Sequence, residues 1–212
     1  MKRKWYQYIA VLLICIFALT GCGSSQEKEK ENQDSAPEIA GLTYEKTMDL
    51  TYAEEFDVYY YKDGYKLIDV HEDKQYLIVP EGVEIPVGLD KETIVIQQPT
   101  ENIYMAATAS MSLFDAIGGI DKVKFSGLEV SGWYVESAKE AMESGAMTFA
   151  GKYSEPDYER LIDEECDLAI ESTMIYHTPK VKEMIQDLGI PVLVDRSSYE
   201  NHPLGRTEWI KL

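Results

Sequence analysis

The sequence predicts an α/β protein: a three-layer lobe with a mainly parallel sheet flanked by helices, preceded by an antiparallel strand section. Three observations carry this. From residue 100 onward, short apolar strands alternate with helix-period segments of about ten residues, the pattern of parallel βαβ units covered on both faces. Residues 42–99 carry strand-like patterns broken by Gly, Pro and Asp-Gly turns. The chain has 212 residues and is 45% hydrophobic, enough for one packed domain or two small ones.

The elements follow in order. Phe56 to Tyr61 is rich in Val and Tyr and meets Lys62-Asp63-Gly64, a hairpin signal, so Tyr65 to Val70 is the return strand. Tyr76 to Val79 is a strand stopped by Pro80 and Gly82, and Thr93 to Gln97 one stopped by Pro99. Ile103 to Thr108 is a short apolar strand. Ser110 is placed to cap a helix carrying Met111, Phe114 and Ile117, ended by Gly118-Gly119. Val123 to Phe125 is a strand, Val135 to Met142 a helix and Met147 to Ala150 a strand. Pro156 opens a helix running to about Glu165, followed by a strand at Leu168 to Ile170. Thr178-Pro179 starts a helix that Gly189 stops. Val192 to Val194 is the last strand. Fifteen tyrosines against five phenylalanines suit half-buried strands with one wet face.

The amino terminus reads as an address. Lys2, Arg3 and Lys4 precede an apolar run from Ile9 to Leu19, too short for the roughly 20 residues of a membrane span and suited to a signal h-region. Leu19-Thr20-Gly21-Cys22 resembles the lipobox of bacterial lipoproteins, which implies cleavage before Cys22 and acylation of its thiol. Residues 1–21 are then a signal peptide. Residues 22–41 form a lipidated, acidic tether holding the domain off the membrane and facing outside the cytoplasm. With Cys15 removed and Cys22 lipidated, Cys166 is left alone; its place after Leu161 and Ile162 suits a buried inert thiol.

Charge and motifs exclude other classes. Thirty-eight acidic against 20 basic residues give −18, the wrong sign for a nucleic-acid binder. G-x-S-x-G, H-E-x-x-H, a P-loop and C-x-x-C are all absent. His71, His177 and His202 have no metal-ligand spacing. An enzyme is therefore not expected, and no cofactor is implied. Ligands of parallel α/β sheets bind beyond the carboxyl ends of the strands. That points to the loops holding Ala109-Ser110, Gly151 to Ser154, Glu171 to Met174 and Asp195 to Tyr199.

Gly151 to Ile170 (G-K-Y-S-E-P-D-Y-E-R-L-I-D-E-E-C-D-L-A-I) resembles the G-x-x-x-x-P-[ND]-x-E-x-[IL] … D-L-[VA]-I stretch of ABC-transporter solute-binding proteins of the iron-siderophore, haem and vitamin B12 branch. Leu113 to Gly127 is similar to the preceding helix and strand of that family, Leu188 to Val194 to its "gipv" strand, and Glu200 to Leu212 to the entry of its long connecting helix. The likeness covers residues 100–212 well and 42–99 loosely.

The resemblance implies two α/β lobes joined by a helix, with the ligand between them. Residues 42–205 would be the N-terminal lobe and 206–212 the start of the inter-lobe helix. The chain would be a truncated receptor whose isolated lobe binds weakly, because half a cleft buries half a ligand. The implied ligand is an iron-siderophore, haem or cobalamin, a small-molecule metal complex. The implied partners are an ABC permease with its ATPase, and the membrane through the anchor. Glu159 matches the glutamate that meets permease arginines. Tyr153, Arg196 and Tyr199 are the expected ligand residues. Thr108, Ser110 and Ser172 are weaker candidates, as is His177, which is placed to meet a haem or metal. Arg196 would pair with ligand carboxylates; its alternative is an internal ion pair. A second reading is a surface lipoprotein adhesion domain using the tyrosine-rich strands. A third is a surface hydrolase pairing a serine with His177.

Overall fold

The computed structural model describes residues 36–212. The signal segment and Cys22 lie outside the described residues, as does the tether up to residue 35. The first sheet has the order β1-β2-β3-β4-β5: Tyr44–Thr47, Phe56–Tyr61, Lys66–Val70, Gln75–Val79 and Ile94–Gln97. The β2–β3 hairpin turns where Asp63 and Gly64 take φ of 63° and 85°, the left-handed values that Asp-Gly tolerates. β1 through β4 pair antiparallel, as expected of this section, and β5 differs by pairing with β4 in parallel. Residues 80–93 explain the difference. They cross the face carrying Leu77 and Val79, laying Val83 and Leu89 on it, and return the chain in the same direction.

The second sheet is all parallel, built from β6 (Ile103–Met105), β7 (Val123–Ser126), β8 (Thr148–Phe149), β11 (Leu168–Ser172) and β12 (Val192–Asp195). Its order is β12-β11-β6-β7-β8. A small hairpin of β9 (Gly151–Lys152) and β10 (Glu155–Pro156) stands apart. Among the described residues five α-helices complete the fold: α1 (Thr108–Ala116), α2 (Glu136–Glu143), α3 (Tyr158–Asp163), α4 (Pro179–Asp187) and α5 (Pro203–Glu208).

Strand alternation assigns the layers. Tyr104, Phe125, Ala169 and Val192 face Leu161 of α3 and Ile185 of α4. Ile103, Met105, Leu168 and Ile170 face the opposite way, onto Phe56, Val58, Ile68 and Ile96 of the first sheet, with Met111 of α1 and Ala138 of α2 beside them. The first sheet therefore stands as an outer layer over part of the second, and its own outer face is covered by Ile39, Leu42 and the 80–93 crossover.

Two local expectations are corrected. Ser110 is not a cap: α1 begins two residues earlier, and the Ser110 hydroxyl donates to Asp195 Oδ2 at 2.7 Å inside the protein. Pro156 does not open α3. It belongs to β10, and the helix is capped by Asp157, whose side chain accepts from the Arg160 N–H. Beyond α5 the chain forms a turn at Trp209–Lys211. Trp209 is buried edge-on to Phe56, ring centroids 5.0 Å apart.

Two buried carboxylates hold this terminal segment to the loop before β2. Glu208 accepts from the backbone N–H groups of Thr51, Tyr52 and Ala53 at 2.7 to 3.1 Å. Glu200 accepts from Glu54 and Glu55 N–H and from the Trp209 indole. Among the described residues no helix is long and apolar enough to cross a membrane.

Candidate functional site

The parallel sheet reverses direction at β6. From there the chain winds one way through β7 and β8, and the other way through β11 and β12. Such a reversal leaves a crevice between the loops leaving the two central strands, where open α/β sheets receive ligands. Here those loops follow β6 and β11, with the β7 and β12 loops beside them.

The β6 loop brings Thr108, exposed, to the first turn of α1. The β7 loop approaches it closely. A Cβ on Gly127 would sit 2.7 Å from the Ala106 Cβ, so only glycine lets the two loops meet. Trp133 then anchors the β7 loop, buried and donating its indole N–H to Ser126 Oγ at 2.8 Å. Pinned this way, the next residue, Tyr134, is 97% exposed. A shallow pocket of about 300 Å³ lies between Thr108, Ala109 and Ser112 of α1 and Gly132 to Val135 of the β7 loop.

On the other side of the reversal, Glu171 and Ser172 still belong to β11. Ser172 caps the turn that follows, accepting from the Met174 N–H. The turn exposes Met174, Tyr176 and His177. One side of the Tyr176 ring is exposed, while its phenol lies beside Arg196 and Asp73 and is pushed up to about 12 by burial. The β12 loop exposes half of Tyr199, whose ring stacks on the Arg196 guanidinium at 4.6 Å. Tyr153 sits half-buried at the tip of the β9–β10 hairpin.

Arg196 takes up the internal ion pair that was the alternative to ligand binding. It is 4% exposed and donates to Glu55 Oε2 from Nε at 3.1 Å and Nη2 at 3.0 Å, with Glu72 at 3.3 Å. Glu55 and Glu72 border β2 and β3, so the first sheet closes over the β12 end of the edge. Lys182 of α4 reaches Asp73 at 2.8 Å in the same region. Ser110 also faces inward, toward Asp195. Of the expected set, Thr108, Tyr153, Ser172, His177 and Tyr199 lie at loops on or beside the edge with at least partly exposed side chains. Tyr134 is the residue that sequence reading missed. Its signal was the Trp-Tyr pair in a Gly-rich loop directly after a strand.

Glu159 is exposed in the first turn of α3 and makes no ion pair among the described residues. His177 makes no hydrogen bond to a serine, and no group of three or more His, Cys, Asp or Glu among the described residues could hold a metal. The tyrosines at 61, 65 and 76 are buried, which turns much of the aromatic strand section inward. Cys166 is a buried free thiol, pushed up to about 12 by burial and thus protonated and inert. Below the edge, Glu171 is fully buried. Both its carboxyl oxygens lack a hydrogen-bond partner among the described residues, and burial pushes its pKa up to about 8.

No protein-family model matches the chain. An uncharacterized lipoprotein of Methanocaldococcus jannaschii is 23% identical over 239 residues, an alignment covering 96% of this chain and 55% of the relative. The chain thus spans about half the length of the curated relative it matches. The crystal structure of a petrobactin-binding protein from Bacillus subtilis superposes on 52% of this chain and 37% of its own, with a TM-score of 0.39 and 16% identity.

Proposed function

We infer that this chain is the ligand-receiving lobe of a lipid-anchored solute receptor that delivers a metal complex, a ferric siderophore, haem or cobalamin, to an ABC importer. The observation that carries the reading is the exposed aromatic edge at the sheet reversal: Tyr134, Tyr176 and Tyr199 beside Met174 and Thr108. Flat or aromatic ligands pack on such rings, and the phenols and hydroxyls orient them. Support also comes from the ordered motifs across residues 100–212 and from the signal and lipobox ending at Cys22. The matched relative bears the name lipoprotein, which agrees with a membrane-anchored location. In this reading residues 1–21 are cleaved, 22–41 tether the lobe, and Glu159 on exposed α3 meets arginines of the permease. The protein captures and hands over, with no bond chemistry.

The test is a titration of the isotope-labelled chain with cobalamin, haem and a ferric catecholate, read by backbone NMR so that weak binding registers. Saturable shifts confined to residues 108–112, 132–135, 153 and 172–199 are expected for one of the three. They should be lost in a Tyr134→Ala, Tyr199→Ala double variant. Shifts from none of the three, or shifts centred elsewhere, would refute the proposal.

A further inference from the structure

A second cavity, away from the carboxyl edge, lies between the two sheets. Its volume is about 280 Å³, at the lower edge of the roughly 300–1,000 Å³ usual for small-ligand pockets. Its walls are apolar: Ile68 and Ile78 from the first sheet, Ile170 from the second, Leu113 from α1 and Trp209 from the terminal turn. It reaches the surface past Ile117 of the segment after α1, which is 62% exposed.

Three charged residues line it: Lys66, Lys122 and Asp195. Asp195 is already satisfied, accepting from Ser110 Oγ on one oxygen and the Ser197 N–H on the other. Lys122 is bonded to Glu101 at 2.5 Å. Lys66 is different. It stands on the inward face of β3, two residues before Ile68, and no carboxylate among the described residues lies within 4.0 Å of it. Its ammonium stands 5.9 Å from the centre of the Tyr60 ring. Of the two lysines at the cavity, Lys66 alone has no carboxylate partner among the described residues, and an ammonium at an apolar wall can receive an anion.

We propose that this cavity binds a medium-chain fatty-acid anion, the hydrocarbon chain lying among Ile68, Ile78, Ile170 and Leu113 and the carboxylate on the Lys66 ammonium. The site is separate from the aromatic edge and does not depend on the transport reading. The test is a titration of the labelled chain with hexanoate, octanoate, decanoate and decanol below their micellar concentrations, following the Trp209 indole N–H resonance. A saturable shift is expected, with affinity rising about fourfold per added methylene. Lys66→Met should weaken decanoate by about threefold to tenfold, Lys66→Arg should restore it, and decanol should bind both lysine variants and the parent alike. Lys66 is partly exposed on its strand, so thermal melts can verify that these variants fold. An unsaturable or absent Trp209 shift, affinity independent of chain length, or decanoate binding unchanged in Lys66→Met would each overturn the proposal.

Discussion

Glu171→Gln should stabilise the protein at neutral pH by about 3 kcal/mol. The glutamate sits on β11 with no exposed surface and, among the described residues, no hydrogen-bond partner for either oxygen, and burial holds its pKa up at about 8. The unfolded chain ionises the same group near the ordinary value of 4.5. Between these values the native state binds one proton more than the unfolded state, so stability falls as pH rises, by about 1.4 kcal/mol per pH unit. The contribution is full below 4.5, and about 3 kcal/mol of it is gone by pH 7. Glutamine keeps the shape, carries no charge and escapes that slope. Urea unfolding of both proteins at pH 5, 6, 7 and 8 measures the difference directly. His71, whose pKa is also raised, titrates in both proteins and cancels. A stability difference that stays flat across this range, or that favours the parent as pH rises, would refute the account of Glu171 as a buried, unpartnered acid.

Three further outcomes follow from the packing. Burial pushes the Glu208 carboxyl up but is outweighed by Lys211 and the N–H groups of Tyr52, Ala53 and Thr51, which hold it down at about 2. Glu208→Gln should cost about 2–4 kcal/mol at pH 7. That loss should shrink as pH falls from 4.5 toward 2, where the parent's own carboxylate is protonated, as seen in acid-range urea melts. Gly205→Ala places a Cβ 2.8 Å from the Tyr52 carbonyl and 2.9 Å from Glu200 Oε2, so the clamp must shift; differential scanning calorimetry should show a loss of about 1–3 kcal/mol. Arg196→Leu leaves the partly solvated Glu55 without its guanidinium and should cost about 1–3 kcal/mol in chemical denaturation, before any ligand is added.

What the sequence revealed of the fold tracks how local each signal was. Asp63-Gly64 and Thr178-Pro179 punctuate elements through backbone preferences that need no partner, and the structure turns or starts at both. The strands at Phe56–Tyr61 and Gln75–Val79 are long enough in apolar and aromatic residues to read alone. Glu155-Pro156 misled because proline suits a helix start and a short edge strand equally, and only the pairing with Gly151–Lys152 decides. The parallel partnering of β5 was invisible, since four residues of alternating pattern carry no direction; Val83 and Leu89 on the crossover settle it. Tyr44–Thr47 escaped notice because two of its four residues are charged and it pairs at an edge.

The site divides along the same line. Position relative to a strand end is a local property, so Thr108, Tyr153, Ser172, His177 and Tyr199 were found at loops on or beside the carboxyl edge. Whether a side chain is free to meet a ligand is not local. Arg196 and Ser110 occupy suitable loops or helix starts, yet Glu55, 141 residues away, and Asp195, 85 residues away, claim them. A charged or hydroxyl group near a binding edge is as useful for closing the fold as for binding, and the choice is made by residues from the other sheet. The Glu200 and Glu208 clamps follow the same logic. They use backbone N–H groups of 51–55, which no side-chain motif records, to hold the terminal segment and the first sheet together. That tie also fixes Trp209 as a wall of the inter-sheet cavity, so the cavity is a product of long-range packing that periodicity could not have announced.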